Sequence, residues 1–235
     1  METLRIEDGK IVDGAGKDFR LRGSCVGGWM NMENFINGYP GSESGLREAL
    51  SEAIGAGKAE FFLGRMLDKM LGEADLRFMR ECGATVVRLP LNYRHFEDDS
   101  EPFKYKESGF RRLDEMLELC ERSGIYAILD LHSVQGCQNS DWHCDNDSRR
   151  SMLWEHPHFQ DRFVALWEEL ARRYKTRAVV AGYDVMNEPL CNAIRGRFTN
   201  IGKYARNWDR INGLFRRVVQ AIREIDERHI IFLEG

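Results

Sequence analysis

The chain lacks several things that would point to particular classes of protein. No stretch approaches about 18 consecutive apolar residues, so no membrane-spanning helix is expected. The opening, Met1-Glu2-Thr3-Leu4-Arg5, has no apolar signal core, and the expectation drawn from that is a cytoplasmic protein. There is no excess of positive charge: the net charge of -4 and pI near 5.9 argue against a nucleic-acid-binding surface. No Gly-x-Gly-x-x-Gly and no phosphate loop follows any expected strand, which weakens a nucleotide-binding reading. Six cysteines are present, Cys25, Cys82, Cys120, Cys137, Cys144 and Cys191, but none forms a Cys-x-x-Cys pair, and free thiols are the default. Cys137, His143 and Cys144 share one loop, yet their spacing matches no common zinc site. A metal-dependent hydrolase would draw on Asp130, His132, His143 and His156, but no His-Glu-x-x-His appears. No metal and no cofactor is expected. No Pro/Ser linker, repeat or low-complexity segment divides the chain, so residues 1–235 are read as one domain.

What is present is a soluble, globular composition, with 43% apolar and 31% charged residues among 235. Residues 3–22 run in short strokes around Asp8-Gly9 and Asp13-Gly14, dipeptides that favour hairpin turns. A β-hairpin and then a first core strand ending near Gly23-Ser24 are expected. Residues 27–58 are rich in Gly, Asn and Ser and read as a long loop, with a short helix over Leu46–Ile54. Helical spacing follows over Phe61–Cys82, with Phe62, Met66, Met70, Leu76 and Met79 inward and Gly83 as the stop. Thr85–Pro90 is a β-branched strand closed by Pro90. The pattern then repeats: helix Gly109–Arg122, strand Tyr126–Leu131, helix His156–Tyr174, strand Ala181–Met186, helix Asn207–Glu224 and strand His229–Leu233. Strands alternating with long helices predict an α/β fold with right-handed crossovers and a parallel sheet.

Polar residues gather where these strands end: Arg88, Asp130, His132, Asn187, Glu188 and Glu234. In α/β barrels and open α/β sheets such ends hold the chemistry. Arg88 lies between Val87 and Leu89, so an inward guanidinium needing an acidic partner is expected. Asp130 and His132 alternate in the same sense and share a side. Pro189 restricts the residue before it to extended geometry, which would hold the Glu188 carboxylate on a stiff stem.

Four motifs in order resemble glycoside hydrolase family 5, the cellulase-like retaining β-glycosidases. They are Leu21-Arg22-Gly23 with Gly27-Gly28-Trp29, then Gly83-Ala84-Thr85-Val86-Val87-Arg88-Leu89-Pro90. Leu129-Asp130-Leu131-His132 with Gln135-Gly136-Cys137-Gln138-Asn139 follows, and Asn187-Glu188-Pro189 completes the set. The resemblance implies a (β/α)8 TIM-barrel type and a carbohydrate substrate: a β-glucan, an oligosaccharide or a β-glucoside. It implies Glu188 as acid/base. Retention needs a second carboxyl about 5 Å away, and the acid's pKa should be raised by that neighbour or by burial. Asn187 could bond a sugar 2-OH, Arg88 could keep the second carboxylate ionised, and His132 could bond a hydroxyl or orient a neighbour. Trp29, Trp142 and Trp154 lie in or beside strand-end loops, and Trp29 and Trp142 are taken as sugar contacts.

The chain ends after the fifth strand, whereas the family's nucleophilic Glu ends the seventh. The expectation is a barrel truncated after strand five, carrying an N-terminal hairpin. Glu234 is then the one candidate second carboxylate at a strand end. The alternative is a non-catalytic carbohydrate-binding remnant of the same fold.

Overall fold

The computed structural model describes residues 1–191 and 208–234. The chain opens on a hairpin of β1 (Arg5–Glu7) and β2 (Lys10–Val12), paired antiparallel. Its turn is Asp8-Gly9, with φ of 49° and 75°. Two positive φ values match the twist of the flanking strands, and Asp and Gly tolerate them best. Asp13-Gly14 does not make a second tight hairpin. Asp13 Oδ1 accepts from the N–H of Ala15 and of Lys17, both at 3.0 Å, and closes a wider loop.

After β3 (Gly23–Cys25) the expected long loop is largely helical. It holds a short α1 (Asn34–Asn37), then α2 (Glu43–Ile54) and the start of α3 (Ala56–Met70). Ser42 caps α2 by accepting from Gly45 N–H at 3.0 Å. The single helix read over Phe61–Cys82 is two, α3 and α4 (Glu73–Glu81). Leu71 is extended at the break, and Asp75 Oδ2 accepts the Gly72 N–H at 2.9 Å to start the new helix. The buried stripe of α3 is Ala59, Leu63 and Leu67, while Phe61 and Phe62 are exposed. The stripe anchored on Phe62 was therefore one position out of phase.

The strand β4 (Val86–Asn92) runs through Pro90 instead of ending there. Arg88 O accepts from Val26 N–H and Asn92 N–H bonds Met30 O, both on the β3 side. Pro90 has the same parity, so its missing N–H falls on that side and the ladder to the next core strand stays intact. A small hairpin not anticipated from the sequence follows, β5 (Glu97–Asp98) with β6 (Glu101–Tyr105).

The remaining elements follow the expected alternation. They are α5 (Glu107–Ser123), β7 (Tyr126–Ser133), α6 (Pro157–Tyr174), β8 (Val180–Asp184), α7 (Trp208–Arg223) and β9 (Ile230–Phe232). Asn207, the expected first residue of the last helix, lies outside the described residues. Gly124, with φ of 67°, stops α5, and Pro157 opens α6 where a missing N–H costs nothing.

The strands form one five-stranded sheet in the order β3-β4-β7-β8-β9, every pair parallel. Two apolar clusters separate its two sides. The larger joins Val87, Leu89, Ala127, Leu129, Tyr183 and Val185 to the inner faces of the helices, including Phe110, Leu117, Phe163, Trp167, Leu214 and Val218. The smaller gathers Val86, Tyr126, Ala181 and Ile230, at or near the strand starts, with Leu4, Ile11, Phe19 and Leu21 of the N-terminal segment. That segment covers the N-terminal ends of the strands. The polar strand ends lie at the opposite side.

Candidate functional site

Arg88 on β4 is the hub. Its Nε bonds Asp184 Oδ2 on β8 at 2.8 Å, and its Nη2 bonds Glu234 Oε1, just past β9, at 2.6 Å. The same Nη2 bonds Asn187 Oδ1 at 3.0 Å and lies 3.2 Å from Asp130 Oδ2 on β7. Burial pulls the guanidinium pKa down, but Asp130, Asp184 and Glu234 outweigh it and hold Arg88 charged. Three carboxylates around one cation leave an excess of negative charge. Asp184 absorbs it: burial first, then the Asp130 charge, pushes its pKa up to about 7 against the pull of Arg88. The remaining oxygens, Oδ1 of Asp130 and of Asp184, are buried with no partner among the described residues.

His132 shares the side of Asp130, as the alternation predicted. Its Nδ1 lies 2.7 Å from Asp130 Oδ2, and its Nε2 faces Glu33 Oε1 at 3.6 Å. The ring is thus oriented by a buried carboxylate.

The loop after β7 ties that strand's end to β8. Gln138 is fully buried, and its Nε2 donates to His132 O at 2.7 Å and to Asn187 O at 2.9 Å. Asn139, also fully buried, donates from Nδ2 to Glu188 O at 3.0 Å. The Glu188 N–H bonds Glu234 Oε2 at 2.9 Å. Between these two bonds Glu188 sits at φ of 44°. The extended stem expected before Pro189 is not formed. A non-glycine residue in that region stores about 1–3 kcal/mol of strain, and such strain collects at functional sites.

The Glu188 carboxylate meets an imidazole: Oε2 lies 3.2 Å from His143 Nε2. The His143 hydrogen bond holds the Glu188 pKa below the usual carboxylate range, against partial burial. This is the reverse of the raised value expected of an acid, because the nearest partner is a base and not a second carboxylate. His143 moves the other way: burial lowers its pKa, but Glu188, Asp141 and Glu33 together raise it.

Arg88, His132, Asn187, Glu188 and Glu234 therefore come together. Trp142 stands 37% exposed beside His143. Trp29 does not join them. At 1% exposure it belongs to the helix-side core, so the sugar contact expected of it is replaced by packing. Trp154 is buried, with its Nε1 donating to Gln138 O at 2.8 Å. His156 is exposed and edges onto Phe159, away from the cluster. Among the described residues no three His, Cys, Asp or Glu side chains group to hold a metal ion. The sequence reading missed Asp184 and Glu33. Asp184 carried a signal: an acid inside an apolar strand, in register with Asp130, demands a cation.

A family model described as Cellulase (glycosyl hydrolase family 5) matches residues 62–235. A beta-xylosidase of Phanerodontia chrysosporium is 43% identical over 235 residues, which is 100% of this chain and 46% of that protein. Endoglucanase C of Acetivibrio thermocellus is 30% identical over 176 residues, covering 75% of this chain and 46% of the relative. A solved structure titled as a glycoside hydrolase superposes with a TM-score of 0.56 at 32% identity, over 69% of this chain and 46% of that one. The chain thus spans about half the length of the curated relatives it matches. The five-stranded parallel sheet with its outer helices is consistent with part of a TIM-barrel-like fold. With its ordered strand-end motifs and a family match over residues 62–235, the chain belongs to glycoside hydrolase family 5.

Proposed function

We propose that this chain is the N-terminal part of a retaining β-glycosidase that hydrolyses O-glycosidic bonds in β-glucans or β-glucosides, with Glu188 as acid/base. The observation that carries this reading is the position of Glu188. It follows Asn187 at the end of β8, with its backbone bonded to Glu234 and Asn139 on either side. Arg88 and His132 stand beside it as charge and hydroxyl partners for a sugar, and Trp142 offers an exposed ring. Asn187 Oδ1 accepts from Arg88, which leaves its amide N–H groups for a sugar oxygen.

Double displacement needs a nucleophile facing the acid. Both oxygens of Glu234 are engaged, one by Arg88 and one by the Glu188 N–H. We therefore assign the nucleophile to a part of the protein beyond these 235 residues and read Glu234 as the carboxylate that sets Arg88 and Glu188. The second reading, a carbohydrate-binding remnant, is favoured by one observation: Glu188 as it stands is paired with His143, whose hydrogen bond lowers its pKa where an acid needs it raised.

The test is Glu188→Gln in the full-length protein. Hydrolysis of substrates with poor leaving groups should fall by about 10²–10⁴, while activated aryl glycosides, which need little protonation, lose far less. Equal loss on both, or none, would sink the acid/base assignment. Full-length protein that binds β-glucan but turns over neither substrate would favour the remnant.

A further inference from the structure

His143 lies on the loop that follows β7, and no part of the catalytic reading above uses it. Its placement is nonetheless fixed. The backbone oxygen of His143 accepts from Asn31 Nδ2 and from Ser133 Oγ, each at 3.2 Å. The ring is mostly buried, with Nε2 at 3.2 Å from Glu188 Oε2 and 2.9 Å from Asn139 Nδ2.

The orientation of the Asn139 amide decides what that nitrogen can do. Asn139 Oδ1 accepts the Asp141 N–H at 2.9 Å, and Nδ2 donates to Glu188 O at 3.0 Å. Two separate backbone bonds fix which end of the amide is which. The end that faces His143 is therefore an N–H donor, and His143 Nε2 meets it as a lone pair. A carboxyl oxygen against the same lone pair makes a hydrogen bond only if it brings its own proton.

Resting on the assignment of Glu188 as acid/base, we propose that His143 is a positioning residue that shares one proton with Glu188, and that Asn139 biases that proton toward the carboxyl. In the first step the proton passes from Glu188 Oε2 to the departing glycosidic oxygen, leaving the carboxylate. In the second the carboxylate takes a proton from the attacking water, and the Glu188–His143 hydrogen bond re-forms. The nucleophilic carboxylate bonds the anomeric carbon as the glycosidic bond breaks in the first step, and the water oxygen replaces that carboxylate in the second.

The surrounding charges act on this pair from every side. Glu33, from the segment before α1, and Asp141 draw a proton toward His143. The His132 ring, whose centroid is 6.3 Å from that of His143, and Arg88 on β4 favour the ionised Glu188. The Glu234 carboxylate bonds the Glu188 backbone N–H. These charges alone would leave the proton on His143, and the Asn139 amide opposes them. The balance keeps one proton on the pair at pH values where a lone carboxyl would have lost it.

The experiment is the pH dependence of kcat/KM in the full-length protein, using a β-glucoside with a poor leaving group. His143→Gln should move the basic limb to lower pH by about one unit or more, while kcat/KM on an activated aryl β-glucoside stays within about threefold. A basic limb unmoved in a folded His143→Gln protein overturns the inference. If Glu188→Gln slows both substrates equally, the acid assignment fails first and this inference with it. If Glu188→Gln is selective but His143→Gln moves nothing, only the inference falls. Should His143→Gln not fold, nitrogen-15 NMR of the His143 ring in the otherwise unaltered protein gives the answer. Its titration should shift on Glu188→Gln, and a titration that ignores that change overturns the pairing.

Discussion

Glu234 Oε2 accepts the backbone N–H of Glu188 at 2.9 Å while its Oε1 takes Arg88 at 2.6 Å. The end of β9 thereby fixes both the hub arginine and the main chain of the candidate acid. Glu234→Ala should release Glu188 from its positive φ and lower kcat on poor-leaving-group substrates by about 10–100-fold, as a small misplacement does. Steady-state kinetics of the full-length variant check this. Loss to the uncatalysed rate, on activated and poor substrates alike, would instead make Glu234 the nucleophile.

Arg88 neutralises carboxylates from three strand ends. Arg88→Met leaves Asp130, Asp184 and Glu234 facing one another and should cost about 3–5 kcal/mol in urea unfolding. Arg88→Lys should recover only part of that, because a single ammonium lacks the fork that reaches Asp184 through Nε and Glu234 through Nη2. A lysine variant as stable as the original chain would show that charge alone matters.

Asp184 gives stability a pH signature. Its folded pKa, raised to about 7 from an ordinary 3.8, means that the folded chain binds the proton more tightly than the unfolded one. Its contribution is therefore fully present below pH 3.8 and lost as pH rises through about 7. Subtracting the stability curve of Asp184→Asn from that of the original chain should give a difference that declines across this window. A flat difference would show that Arg88 compensates the burial of Asp184 completely.

The pairing of β8 with β9 depends on Gly182. A Cβ added there would lie 2.3 Å from Ile230 O and 2.8 Å from the Phe232 ring. Gly182→Ala should destabilise the chain by about 1–3 kcal/mol, because a backbone carbonyl must move. In the full-length protein the same displacement shifts Glu234 away from Glu188, so activity should fall with stability. Thermal unfolding and kinetics on one sample test both.

Much of this was legible in the sequence. The apolar runs Thr85–Pro90, Tyr126–Leu131 and Ala181–Met186 mark core strands, and the period of α5, α6 and α7 marks their buried faces. What was not legible depended on three-dimensional neighbours. Phe61 and Phe62 attract any hydrophobic-periodicity argument, yet Ala59, Leu63 and Leu67 one step away form the buried stripe. Pro90 reads as a stop because the sequence does not say which neighbouring strand its missing N–H faces. Proline's usual effect on Glu188 is overridden by hydrogen bonds from Asn139 and to Glu234, residues 49 and 46 positions away. The pKa of Glu188 follows His143 and not burial, and no spacing rule connects positions 143 and 188.

The partners of Arg88 lie far apart in the chain: Cys25 at a separation of 63 residues, Asp184 at 96 and Glu234 at 146. A chain emerging from the ribosome N-terminus first meets them one after another. Cys25 precedes the arginine, Asp130 follows with β7, Asp184 with β8, and Glu234 only with β9. Until the last arrives, Asp130 and Asp184 are the carboxylates that face the guanidinium, and the Glu188 N–H lacks the Glu234 carboxylate that holds it. The strand ends described here therefore acquire this electrostatic balance only after most of the helix-side core of these residues has had the chance to form. A nascent chain arrested before residue 230 should have a collapsed apolar core but an unset polar rim, and proteolysis near Glu188 should report the difference.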